Sequence, residues 1–121
     1  MVRQTTQTRR RTLFEEALDA IRRDFANQSL SLADVAHTIA TSRRQLQRVL
    51  SEQGTSFRSE LQRERMTRAA MLLRDPGLPV SSVARAVGYR QAAQFSKAFR
   101  RHYGQPPSAL RRTASVERVA A

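Results

Sequence analysis

The chain has 121 residues, 22 basic and 10 acidic side chains, a net charge of +12 and no cysteine. That length fits one domain or two very small units. The absence of cysteine excludes a disulfide scaffold, a thiolate nucleophile, a cysteine zinc site and a cysteine alkyl acceptor.

Imidazole comes only from His37 and His102. No carboxylate stands at a suggestive spacing from either, so no catalytic residue, metal site or cofactor is expected. No apolar run approaches the roughly 18 residues of a membrane span, and no secretory segment follows Met1. A cytoplasmic, nucleoid-associated location is therefore expected. The charge points to a polyanion, with nucleic acid the first candidate and an anionic membrane surface the second. Residues 1–75 carry 14 basic and 9 acidic groups, whereas residues 76–121 carry 8 basic groups and only Glu117. The C-terminal part is nearly free of groups that would repel a phosphate backbone.

Residues 1–11 hold Arg3, Arg9, Arg10 and Arg11 but no apolar periodicity, and read as a disordered basic arm. Thr12 to Glu15 reads as a capping box, followed by Phe14, Ala17, Leu18, Ile21 and Phe25 at helical spacing. Ser31 to Asp34 is a second capping box, opening a helix that buries Leu32, Val35, Ala36 and Ile39. Ser42 to Gln45 is a third, ahead of Leu46, Val49 and Leu50, and Gly54 ends that helix.

A long helix is predicted over 57–74, stopped by Asp75-Pro76-Gly77. Phe57 and Leu61 lie on one side of it, and Met66, Ala70 and Leu73 nearly opposite. Such a helix serves as a strut between two apolar clusters. Val80, Val83, Ala84 and Val87 mark a short helix that Gly88 breaks. Phe95, Ala98, Phe99 and Tyr103 mark another on their core side, ended by Gly104 and Pro106-Pro107. Ser108 to Arg112 reads as a last turn, and residues 113–121 as a flexible tail.

The chain repeats itself. Leu32, Val35, Ala36 and Ile39 align with Val80, Val83, Ala84 and Val87 at an offset of 48. Leu46, Val49 and Leu50 align with Phe95, Ala98 and Phe99 at an offset of 49, so one residue is inserted in the turn. A short helix, a tight turn and a second helix with one polar face form a helix-turn-helix. The expected fold is all-α, with a first helix-turn-helix subdomain at 12–55, a linker helix at 56–75 and a second subdomain at 76–112.

In the first unit Arg44, Gln47 and Arg48 share one face opposite Leu46, Val49 and Leu50. Arginine reads guanine and glutamine reads adenine in the major groove. Arg43, nearer the edge, suits a phosphate. The second unit offers Arg90, Gln91, Ser96 and Lys97. Ala92 and Ala93 occupy its first turn and can only touch a thymine methyl or admit the backbone. Weaker base reading is expected there, with Lys97, Arg90 and Arg100 as phosphate anchors. A helix of about 18 residues is about 27 Å long, and successive major grooves on one face lie about 34 Å apart. A single molecule gripping both grooves of an asymmetric site is the expected binding mode.

These residues resemble the DNA-binding domain of the AraC/XylS family of bacterial transcription regulators. The resemblance rests on Arg65-Met66, Ala69, Leu72-Leu73, Val80, Val83-Ala84, Val87-Gly88-Tyr89, Phe95, Phe99, Tyr103-Gly104 and Pro106-Pro107. Leu46, Arg48 and Gly54-Thr55-Ser56-Phe57 add to it in the first half. It covers about residues 13–112. It implies about seven helices and recognition helices at about 42–53 and 91–103. It further implies base contacts from Arg43, Arg44, Gln47 and Arg48, then Gln91, Ala92, Ala93, Ser96 and Lys97. Contact with RNA polymerase, as in the family's activators, is implied as well. The chain looks like the small stand-alone members that act as monomers, or like an excised domain.

Two other classes compete. A non-specific DNA- or RNA-binding protein would stack bases on exposed aromatics, but Phe95, Phe99 and Tyr103 are expected inside. A membrane-surface role conflicts with Glu15, Glu16, Asp19 and Asp24 on the first helix.

Overall fold

Seven helices and no strand make up the described residues of the computed structural model. They are α1 (Val2–Asp24), α2 (Leu32–Thr38), α3 (Arg43–Glu52), α4 (Phe57–Leu72), α5 (Val80–Ala86), α6 (Ala92–Tyr103) and α7 (Pro107–Ala120). The structure describes the backbone of residues 2–120 and the side chains of residues 6–113. Two compact units form. One runs to Phe25 and resumes over Ser29–Glu64; the other comprises Ala26–Gln28 and the chain from Arg65 onward. The boundary falls inside α4, where the sequence predicts a change of buried face.

In the first unit, α1, α2 and α3 close over Ala17, Ala20, Ile21, Val35, Ala36, Leu46 and Leu50, joined by Leu61 from the start of α4. Phe57 packs against the same cluster. In the second unit, Met66, Ala69, Leu73, Val83, Ala84, Val87, Phe95 and Phe99 are buried. Phe99 stacks at 5.7 Å from Phe95 and 4.7 Å from Tyr103, and Tyr89 meets Phe95 edge-on at 5.6 Å. Aromatic rings thus fill the space that Leu46 and Leu50 fill in the first unit. Tyr103 departs from the expected core position. The residue stays 38% exposed, while its hydroxyl donates to the Met66 carbonyl. A tyrosine at a helix end keeps an apolar body inside and a wet tip outside.

The two helix pairs share one turn. After α2, the Ala40 amide donates to His37 O and the Thr41 amide to Ala36 O. After α5, the Gly88 amide donates to Arg85 O and the Tyr89 amide to Ala84 O. Both are Schellman closures around a left-handed residue, with φ 56° at Ala40 and 97° at Gly88. Alanine at Ala40 bears the Cβ clash that glycine avoids at the matching place. The Thr41 hydroxyl, next in the turn, is buried without a partner among the described residues.

Helix entry differs between the repeats. Ser31 and Asp34 form the expected reciprocal box ahead of α2. The Ser42 hydroxyl accepts from the Gln45 amide at 3.0 Å ahead of α3. Gln91, at the matching place ahead of α6, makes no side-chain cap.

Residues 2–11, expected as a disordered arm, are instead the opening turns of α1. Thr12 is no cap; its hydroxyl donates back to the Thr8 carbonyl inside the helix. Once the apolar stretch from Leu13 nucleates the helix, each added residue gains a bond at little further entropy cost, so polar residues upstream can follow. The expected last turn at 108–112 and the expected tail as far as Ala120 belong to α7, which Pro107 opens at the position where proline is best tolerated. The side chains of residues 114–121 lie outside the described residues. The strut helix ends at Leu72, two residues short of the prediction, and the Asp75 carboxylate then accepts from the Gly77 amide in the turn.

Arg111 locks that turn to α7. Its guanidinium donates to the carbonyls of Leu73 (3.2 Å), Asp75 (3.2 Å) and Leu78. All three carbonyls lie in the turn just beyond α4, where Asp75 O also accepts from the Leu78 amide.

Ala40→Gly should raise the stability of the first unit by about 0.5–1 kcal/mol in chemical denaturation, and Gly88→Ala should lower that of the second by about 1–2 kcal/mol. Arg111→Ala should cost about 2 kcal/mol, since three backbone acceptors lose a charged donor. A loss below about 0.5 kcal/mol would show that water replaces the guanidinium freely.

Candidate nucleic-acid interface

The face of α3 follows from its burial pattern. Leu46, Val49 and Leu50 are buried, which turns Arg43, Arg44, Gln47 and Arg48 outward, and all four are exposed. The ion pairs Arg22–Asp19 and Arg23–Asp24 belong to α1, and Arg63–Glu60 to α4. Among the described residues no carboxylate pairs with Arg43, Arg44 or Arg48. The α3 face therefore keeps its positive charge unneutralised, as a surface meeting phosphate requires.

The α6 face is less uniform. Phe95 and Phe99 are buried, and Lys97 and Arg100 are exposed. Arg90 and Gln91 are exposed in the turn before the helix. Ala93 is exposed, whereas Ala92 and Ser96 are half-buried. Ser96 has less reach than the matching Gln47, and Ala93 none of that of the matching Arg44. The structure thus gathers Arg43, Arg44, Gln47 and Arg48 on one surface, and Arg90, Gln91, Ala93, Lys97 and Arg100 on or beside another.

Sequence reasoning passed over three side chains. Gln45 and its counterpart Gln94 are both exposed on the first turns of α3 and α6. The sequence pattern marks Gln45 only as a capping partner, although the bond to Ser42 uses its amide and leaves its side chain free to point outward. The offset of 49 was the signal for Gln94. Arg10, assigned to the arm, sits in α1 with its guanidinium 3.5 Å from Glu52 of α3.

Arg65 supports the second face from behind. Its guanidinium stands 5.5 Å from the centre of the Tyr89 ring and donates to the Asn27 carbonyl at 2.9 Å. Burial pulls its pKa below the ordinary arginine value, with Tyr89 acting in the opposite direction. An arginine remains cationic under such a shift, so the charge is available to hold the aromatic ring. Tyr89 in turn meets Phe95 on the first turn of α6, which orients the start of that helix.

The helix-turn-helix domain family model matches residues 35–113. An HTH-type transcriptional regulator of Mycobacterium tuberculosis is 45% identical over 78 residues, covering 64% of this chain and 23% of that protein. The transcriptional activator RhrA of Rhizobium meliloti is 33% identical over 98 residues, covering 79% of this chain and 31% of its own. The crystal structure of a transcriptional regulator of the AraC-type DNA-binding class from Chromobacterium violaceum matches with a TM-score of 0.79 at 26% identity, covering 86% of this chain and 93% of that one. Fold and relatives together define the class, a paired helix-turn-helix DNA-binding domain of transcription regulators. The chain belongs to the AraC-type helix-turn-helix family. It spans about a quarter of the length of the first mycobacterial relatives. Among the described residues no helix is long and apolar enough to cross a membrane.

Arg48→Ala should weaken binding to a selected duplex by about 1–3 kcal/mol and relax the preference at one base position. Equal losses on selected and random duplexes, measured by fluorescence anisotropy, would reduce Arg48 to a charge contact.

Proposed function

We propose that the chain is a sequence-specific double-stranded DNA-binding transcription regulator of the activating kind. In this reading α3 and α6 each enter a major groove of one duplex. The observation that carries it is the exposed basic face of Arg43, Arg44, Gln47 and Arg48 on the second helix of a helix-turn-helix, with no carboxylate partner among the described residues. Arginine and glutamine supply the bidentate contacts that distinguish guanine and adenine in that groove.

The second helix-turn-helix divides the labour differently. Lys97, Arg100 and Arg90 anchor to phosphates, Gln91 reaches a base edge, and Ala92, Ala93 and Ser96 allow close approach. Base reading then rests mostly on the first unit. A single molecule occupies successive major grooves of an asymmetric site, and an exposed surface away from the recognition helices meets RNA polymerase. Activation is supported by RhrA, a relative named as a transcriptional activator.

Duplex selection from random sequence followed by footprinting should yield one asymmetric protected site of about two helical turns. Protection of a short palindrome by two copies would contradict the single-molecule reading. Affinity should fall with salt at a slope of about −0.9 per phosphate neutralised, and single strands should compete poorly. Equal binding of single strands and random duplex would favour a non-specific nucleic-acid-binding protein.

A further inference from the structure

A cleft of about 290 Å³ lies in the first unit, lined by Arg10, Ser42, Arg44, Gln45, Arg48 and Val49. Three of these six side chains are arginines and none is a carboxylate. One wall is α3 from its Ser42 cap to Val49; the other is Arg10 of α1.

An α-helix with its side chains is about 10–12 Å across, and the major groove is about 12 Å wide. A helix lying in that groove therefore has a sugar–phosphate strand along each flank. Side chains at its centre meet base edges, while groups standing beside it meet phosphate. Arg10 stands beside α3 and belongs to a different helix, so it is placed for the strand rather than the bases.

Resting on the DNA-binding reading above, we propose that this cleft seats a backbone phosphate. In this arrangement Arg10 is a dedicated phosphate ligand, and Arg44 across the cleft adds to the positive field while remaining on the base-facing side of α3. Gln45 lines the same cleft and offers an amide donor, which gives this overlooked residue a role. The opening turns of α1 are then part of the DNA-binding surface rather than an appendage.

Glu52 completes the arrangement. Its carboxylate lies 3.5 Å from the Arg10 guanidinium, and both groups are substantially exposed, at 40% and 46%. A pair this open to solvent is weak. Glu52 holds Arg10 against α3 in the absence of DNA and yields it to a phosphate, which offers a stronger, bidentate-capable acceptor.

The test uses the full chain and a selected duplex, with affinity measured across a salt series. Arg10→Ala should weaken binding about fivefold at 0.15 M salt and reduce the slope of log affinity against log salt by about 0.9, the signature of one phosphate contact. The loss should be the same on selected and random duplexes, and Arg10→Lys should restore most of it. Glu52→Gln should tighten binding. An unchanged slope in Arg10→Ala, or weakened binding in Glu52→Gln equal to that of Arg10→Ala, would overturn the proposal and leave the pair a helix brace. Inorganic phosphate titrated without DNA separates the two phosphate sources. Millimolar phosphate should leave the thermal midpoint of wild type and Arg10→Ala equally placed. A stabilisation lost in Arg10→Ala would show a free-anion site and overturn the backbone assignment. Failure of wild type itself to bind duplex would instead reject the underlying DNA-binding reading.

Discussion

The left-handed residue between paired helices is the constraint on which the rest depends. At Ala40 and at Gly88 the chain turns through a positive φ, and the amides of that residue and the next close on carbonyls of the helix just ended. This closure sets how α3 leaves α2 and how α6 leaves α5. Only with that angle fixed do Leu46 and Leu50, or Phe95 and Phe99, reach their cores. Those buried side chains then determine which residues of the second helix face outward. The exposed basic face of α3 is thus the far side of a packing decision made in four or five residues of turn.

The two units solve the same geometry with different materials. The first uses alanine in the strained position, a serine cap ahead of α3 and aliphatic packing. The second uses glycine, an uncapped helix start and a run of aromatic contacts steadied by Arg65. The exposed faces differ as well: long arginine and glutamine side chains crowd the face of α3, while α6 begins with two alanines. Close approach of the α6 backbone to a duplex would make Lys97 and Arg100 effective over short distances, without demanding base selectivity from that helix.

Arginine also serves two opposite purposes in this chain. Arg65 and Arg111 turn inward, one to an aromatic ring and a carbonyl, the other to three carbonyls beyond α4. Their charge is consumed in holding loops. Arg43, Arg44 and Arg48 turn outward with no carboxylate partner among the described residues. The net charge of +12 therefore overstates the charge freely offered to a partner, and position rather than number distinguishes the two groups.

The sequence by itself determined the helical class, the duplicated helix pair, the ends at Gly54 and Gly88, and the polar face of α3. Each follows from local rules: apolar residues at helical spacing, caps, and glycine where φ is positive. The change of buried face along 57–74 was legible too, because periodicity encodes facing directly. Tertiary structure alone decided that residues 2–11 continue α1, that Arg10 stands beside α3 and that Tyr103 stays partly exposed. It also decided that Arg111 reaches back to carbonyls more than thirty residues earlier. Polar helices carry no periodic signal, and an arginine's partner is set by which distant element packs beside it. Local spacing fixes which way a side chain faces, but only the folded chain fixes what it finds there.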